Sequence, residues 1–497
     1  MTEPCDLTAV EARRLIGQRA LAPSALLESC IGRIEAVDPA VNAMVARDYA
    51  GARMAARLAD EAVARGDPLG LLHGLPLAVK DLDDAAGLPT TFGSPIFRDN
   101  VATNDSRMVA ALRAAGAIVL GKTNTPEFGA GANTRNAVHG VTGNPFDPSR
   151  SAAGSSGGSA VALATGMVPI ATGSDTGGSL RNPASFCGIV GFRPTPGLVP
   201  SERRPLGWSP LPVLGPMART VPDVCLLLAA MVADDASDPL ATTVHGAVVR
   251  RAEDFARPAP IDLSRLRVAL TPDFGFAPTE RRIADMFAEK TSLFRHVFAR
   301  AEDATPDCAG ADEAFEVIRS LSFLAAHAEK VRTRPEEIGP NVRANVAEGL
   351  RYSAADVARA LALQTALYRR WQDFFGGFDV ILTPSITVSP RPWRELYPAE
   401  IDGRATRTYF HWLALAYAVT LAGHPAVSVP MGVDHAGLPF GLQVVGPRGG
   451  DAFLLSVAAS LEAVLANDFR TARPIPDLGR LRAASPISAS PGFLGFD

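Results

Sequence analysis

Two short Gly/Ser clusters hold the residues of this chain best suited to chemistry, AGSSGGSA at 153–160 and SDTGGSLR at 174–181. Successive glycines let a backbone turn several N–H groups toward one point, which suits binding an oxyanion. A serine at the end of such a nest, here Ser179, can attack a carbonyl while the preceding amides stabilise the charge that develops. The serine also needs a base. No histidine lies within thirty residues of Ser179 on either side, and His139, in a loop, is the nearest to either cluster. The other candidate is Lys80, at the end of the apolar run Leu75-Pro76-Leu77-Ala78-Val79. Its pKa must fall from about 10.4 to near neutrality, which burial at a strand end can achieve. The plain alternatives stay open at this level: the clusters are tight turns packing helix ends, and Lys80 is a solvated charge.

The elements around these residues alternate in type. Leu7 to Arg19, Pro23 to Val37 (with Ser24 as its cap) and Tyr49 to Arg65 read as helices. Leu75 to Val79 reads as a buried strand, followed by helix Met108 to Ala115 and strand Ala117 to Leu120. Ser159 to Thr165 is helix-like. Strand-like runs return at 380–382, 426–429 and 441–445. This alternation predicts an α/β protein whose core sheet is completed by the C-terminal part. Residues 240–370 read as mostly amphipathic helix without a motif, and the end, ASPISASPGFLGFD, as a weakly ordered tail.

Three letter-matches fail on context. Gly116-Ala-Ile-Val-Leu-Gly121-Lys122-Thr123 fits a phosphate loop, but its variable residues are a strand. Leu77-Ala78-Val79-Lys80 with Asp273-Phe274-Gly275 lacks any HRD loop of a kinase. Gly154-Ser155-Ser156-Gly157-Gly158 fits a nucleophile elbow, but loop rather than buried strand precedes it.

Composition narrows the class. With 497 residues, 47% hydrophobic and only 20% charged, the chain can bury a large core. The net charge of −4 and scattered basic pairs give no footprint for nucleic acid. Apolar stretches such as Trp412 to Gly423 are too short to span a bilayer, and no HExxH spacing marks a zinc site. The five cysteines are odd in number and form no CxxC pair. With a start that lacks a signal-peptide pattern, they predict a reduced, cytoplasmic protein with buried thiols.

The stretch from Ala153-Gly-Ser-Ser-Gly-Gly to Asp175-Thr-Gly-Gly-Ser-Leu-Arg181-Asn-Pro183 resembles the signature of the amidase signature family. The likeness extends to PLAVKDL (76–82), GKTNTPEFG (121–129), GNPFDPSR (143–150), FCGIVGFRPTPGLVP (186–200), GPMARTVPD (215–223) and GLPFGLQVVGP (437–447). It covers about residues 8–235 and 370–460. The resemblance implies a single large α/β/α domain with a central mixed sheet flanked by helices. In that reading 1–70 is an N-terminal helical segment on the core, and 71–239 is the signature core. Residues 240–370 are a variable helical insertion, 371–465 complete the sheet, and 466–497 are the tail.

The resemblance also implies roles. Ser179 matches the nucleophile, Ser155 the bridging serine after a cis Gly154–Ser155 peptide, and Lys80 the base. The amides of Thr176, Gly177, Gly178 and Ser179 match the oxyanion hole, so a side chain at either glycine is expected to cost rate more than stability. Asp175 and Arg181 match positions that brace the loop. The family usually has Gly-Gly before Ser-Ser, where this chain has Ala153-Gly154. The implied activity is hydrolysis of a small non-peptide carboxamide, anilide or carbamate, with no metal or organic cofactor. The alternative is the A subunit of a glutamine-dependent aspartyl/glutamyl-tRNA amidotransferase. That protein usually carries SRYG-type and SSLDQ-type runs where this chain reads SERRPLGWSPLPVLGPMART. Candidate substrate-binding aromatics are Phe128, Trp208, Tyr409 and Trp412, pointing to an apolar or aryl acyl group, although core packing accounts for each equally well. A homodimer is the default expectation for assembly.

Overall fold

The apolar runs of the sequence become the strands of one eleven-stranded sheet. The computed structural model describes residues 3–233, 235–241, 243–244, 247–248 and 251–495. In chain order the strands are β1 (Met44–Arg47), β2 (Pro76–Lys80), β3 (Ile118–Thr123), β4 (Ile170–Asp175), β5 (Val190–Arg193) and β6 (Val213–Ala218). They continue with β7 (Arg267–Leu270), β8 (Arg300–Asp303), β9 (Val380–Pro384), β10 (Ala426–Val433) and β11 (Pro439–Val445). The order across the sheet is β1-β3-β2-β4-β6-β5-β10-β11-β9-β7-β8. The sheet is mixed: β3, β2 and β4 run parallel, β4, β6, β5, β10, β11 and β9 alternate, and β9, β7 and β8 run parallel again. Helices cover both faces, so the central strands are buried on both sides and read as near-continuous apolar runs.

Helix Tyr49–Arg65 shows how sequence sets an element. The Asp48 carboxylate accepts the Gly51 N–H at its start, and Ala52, Ala56 and Ala59 form its buried stripe. The second helix begins one step earlier than its serine suggested. Pro23 opens it, Ala22 is the capping position, and the Ser24 N–H donates to Asp60 instead.

The structure corrects two readings of the chain. Residues 240–370 are not purely helical, because they supply β7 and β8 to one edge of the sheet. Those strands are only four residues long: the buried run of the first, Val268-Ala269-Leu270, is three residues, and Arg300–Asp303 is largely exposed. The tail is also better packed than its composition suggested. Helix Leu478–Ala483 buries Leu481, Ile487 is buried against Val141 and Trp393, and the Gly492 carbonyl accepts from Arg135. All five cysteines are buried and free, as expected of small core residues. Among the described residues no helix is long and apolar enough to cross a membrane.

Candidate active site

The parallel pairing of β2 and β4 brings Lys80 and the second Gly/Ser cluster to the same edge. Both strands end there, at Lys80 and Asp175, the kind of edge where open α/β sheets hold ligands. The Lys80 N–H donates to Thr172 Oγ1 on β4 (3.0 Å), which locks the two strands side by side. Beyond Asp175 the chain turns through Thr176-Gly177-Gly178-Ser179 into helix Arg181–Cys187. The first cluster lies alongside, just before helix Gly157–Ala164. Every residue of that helix is buried, and the Ser156 N–H donates to the Ser179 carbonyl (3.2 Å).

Lys80 is fully buried. Its Nζ donates to Ser155 Oγ at 2.7 Å, Ser156 Oγ at 2.9 Å and Ser174 Oγ at 3.0 Å. Burial pulls its pKa down from 10.5 to about 7, with the Asp83 and Asp175 charges acting the other way. Such an amine exchanges a proton with a neighbouring hydroxyl near neutral pH. Lys122 is also buried at a strand end, yet it is engaged by the carbonyls of Asp83 and Pro89, by Thr90 Oγ1 and by the Asp81 carboxylate at 3.4 Å. His139 is held elsewhere, against Thr91 Oγ1 at 3.0 Å.

The Gly154–Ser155 peptide is cis. Ser155, Ser179 and Thr176 line one cavity of about 500 Å³. Among the described residues, no intramolecular hydrogen bond engages the N–H of Thr176, Gly177 or Ser179. The Gly178 amide departs from expectation, because it donates to Asp175 Oδ1 at 2.9 Å. Asp175 also takes Arg181 and Arg193, and its Oδ2 takes the Leu180 N–H. Burial alone would raise this carboxyl, but the two guanidiniums hold it well below the usual carboxylate range. The loop is thus braced by a buried ionic cluster, and the N–H groups of Thr176, Gly177 and Ser179 are left without an intramolecular acceptor among the described residues.

Comparisons with known proteins show the family and the fold. Residues 25–455 match the family model described as Amidase. The chain belongs to the amidase signature family. It is 34% identical over 466 residues to an acylamidase of Rhodococcus erythropolis, covering 92% of this chain and 95% of that one. It is 32% identical to the A subunit of a glutamyl-tRNA(Gln) amidotransferase of Alkaliphilus metalliredigens, over 93% of this chain and 96% of that one. A solved bacterial aryl acylamidase of the amidase signature family superposes with a TM-score of 0.86 at 26% identity, covering 97% of this chain and 99% of that one. The protein is therefore an amide-hydrolysing enzyme with the large mixed sheet of amidase signature enzymes.

In this amidase only one of the four expected aromatics reaches the cavity. Phe128 lines it. Trp208 is 79% exposed and is not among the cavity's lining residues. Tyr409 and Trp412 are buried away from it: the Tyr409 hydroxyl meets Arg319 and Asn345, and the Trp412 indole donates to the Tyr409 carbonyl at 2.8 Å. These two are large rings that fill core. The sequence reading missed Phe92, Phe97 and His327, which also line the cavity. The His327 ring lies 4.4 Å from that of Phe128, and Phe92 and Phe97 meet edge to face at 5.1 Å. Burial pushes the His327 pKa down to about 4, helped by Lys330, so the ring is neutral and joins an aromatic wall. Its spacing on helix Ala311–Thr333 carries no signal, because the partners come from a loop some two hundred residues earlier.

The two loop glycines differ in kind. Gly178 has φ +104°, and a Cβ there would sit 2.5 Å from the Asn182 side chain and 2.6 Å from Ala416 Cβ. Gly178→Ala is therefore expected to cost stability, about 2–4 kcal/mol from strain plus overpacking. A Cβ on Gly177 meets the edge of the Phe315 ring, with Cζ nearest at 3.1 Å. Gly177→Ala is expected to fold normally and to lose about tenfold in kcat through misplacement of the loop. Thermal melts and rates on a simple anilide check both outcomes. On these contacts the expectation that either substitution costs mainly rate is kept for Gly177 and revised for Gly178.

Proposed function

We propose that this amidase hydrolyses aryl amides of the anilide type through an acyl-enzyme on Ser179, with Ser155 and Lys80 as the proton relay. The observation that carries this reading is the neutral-range amine of Lys80 held 2.7 Å from Ser155 Oγ at the edge of the Ser179 cavity. Lys80 takes a proton through Ser155 as Ser179 Oγ bonds to the carbonyl carbon. The N–H groups of Thr176, Gly177 and Ser179 stabilise the oxyanion. The same relay returns the proton to the amide nitrogen, which leaves as the amine when the C–N bond breaks. Water then adds to the ester carbonyl, gives its proton to the relay, and releases the acid with Ser179 restored.

The aromatic wall of Phe92, Phe97, Phe128 and His327 supports an aryl substrate, and the likeness to an aryl acylamidase agrees with it. The likeness to amidotransferase A subunits supports a second reading, glutamine hydrolysis within a complex. A hydrolysis panel separates the two. The purified chain is expected to release aniline from acyl anilides, to leave free glutamine intact, and to be labelled by a fluorophosphonate. Ammonia release from glutamine without anilide cleavage would transfer the assignment to the second reading.

A further inference from the structure

Among the residues lining the cavity, Asp83 has an unmet need. It lies three residues beyond Lys80, is 6% exposed, and its Oδ2 is shielded from solvent with no hydrogen-bond partner. Among the described residues no donor reaches its carboxylate, and only its main-chain groups are used: the N–H donates to the Lys80 carbonyl at 3.0 Å and the carbonyl accepts from Lys122 Nζ at 2.7 Å.

The cations around it are committed elsewhere. Lys80 serves three serine hydroxyls, Lys122 adds Pro89 and Thr90 to its contacts, Arg203 pairs with Asp84, and Arg204 pairs with Asp238. Glu202, in the same lining, accepts the Arg107 N–H at 3.1 Å. Burial raises the Asp83 carboxyl to about 6, against the pull of Lys122, Lys80 and Arg203, so it is largely ionised in mildly alkaline solution. A buried carboxylate without donors is costly, and because Asp83 also lines the cavity that holds Ser155 and Ser179, a donor from outside the chain is set to satisfy it.

We propose that Asp83 is a specificity-determining residue that receives an ammonium group carried by the amide substrate. An ammonium brings three donors and the opposite charge, whereas a neutral N–H leaves the charge unpaired. The faces of Phe92, Phe97 and Phe128 in the same cavity also attract a cation. The preferred substrates are then aryl amides bearing an aminoalkyl substituent. This proposal rests on the anilide reading given above.

Two matched pairs of anilides test it. In one pair the acyl ring carries an aminomethyl or an ethyl group, and in the other pair the leaving aniline does. The groups are similar in size and differ in charge. Wild-type enzyme is expected to favour the ammonium member of at least one pair, on the order of ten- to a hundredfold in kcat/KM. Asp83→Asn is expected to bring that ratio near unity, while Asp83→Glu, which keeps the charge, retains part of it. The wild-type ratios need no variant to fold. Cleavage of the ethyl compounds with a ratio near unity in both pairs overturns the Asp83 proposal alone. So does a preference that survives intact in a folded Asp83→Asn. No cleavage of any of the four compounds overturns the anilide reading, and this proposal with it.

Discussion

Ser179→Ala is expected to lower kcat/KM on anilides by about 10⁴-fold or more and to abolish fluorophosphonate labelling. The reason is local. Ser179 lines the cavity, half-buried, and its hydroxyl holds no structural contact, since no hydrogen bond among the described residues uses it. What the fold takes from this residue is its main-chain carbonyl, which accepts the Ser156 N–H, and alanine keeps that carbonyl. The melting temperature should therefore stay close to wild type while the chemistry is lost. Adding Ser155→Ala should cost little more, because groups that act as one relay fail together. A Ser179→Ala enzyme within tenfold of wild type would remove Ser179 from the nucleophile's role.

Lys80→Met is expected to lose about 10⁴-fold in kcat/KM, and the wild-type pH profile should show why. Burial brings the Lys80 pKa to about 7. The relay needs the neutral amine, so the active fraction falls as pH drops below that value. The rate is expected to rise about tenfold per pH unit up to near 7 and to level off above it. An exposed lysine would instead give a rise that continues toward about 10.4. Rate profiles of wild-type enzyme from pH 5 to 10 distinguish the two shapes. Folding serves as the control: circular dichroism of Lys80→Met should match wild type, because methionine keeps the apolar stem in the buried strand Pro76–Lys80. A profile that keeps climbing past pH 9 would show that Lys80 is not the base.

Much of the site was legible in one dimension. Lys80 was visible as a charge at the end of Leu75-Pro76-Leu77-Ala78-Val79, and the resemblance to the family's base set it apart from a solvated lysine. Lys122 ends a similar apolar run, and nothing local separates the two lysines. Their difference is a matter of partners: three hydroxyls at one amine, and two carbonyls, one hydroxyl and the Asp81 carboxylate at the other. The Gly/Ser nest was legible as a loop able to offer amides. Which amides it offers was not, because Asp175 takes the Gly178 N–H only once Arg181 and Arg193 have fixed its carboxylate. The aromatic candidates fared worst. Tyr409 and Trp412 have the composition of a pocket and the burial of a core, and ring chemistry is the same in both places.

By itself the sequence determined the α/β class, most of the helices and strands, the loop chemistry at 153–160 and 174–181, and membership in a family of amide hydrolases. These are properties of local pattern, carried by hydrophobic period, glycine placement and ordered motifs. Tertiary structure alone decided that β2 and β4 lie side by side, that residues from 240–370 add an edge to the sheet, and which rings and charges face the cavity. Those outcomes depend on contacts between residues far apart in the chain, such as Phe128 with His327 or Lys80 with Ser155. No local pattern encodes them, because the free energy that selects them comes from packing the whole core at once.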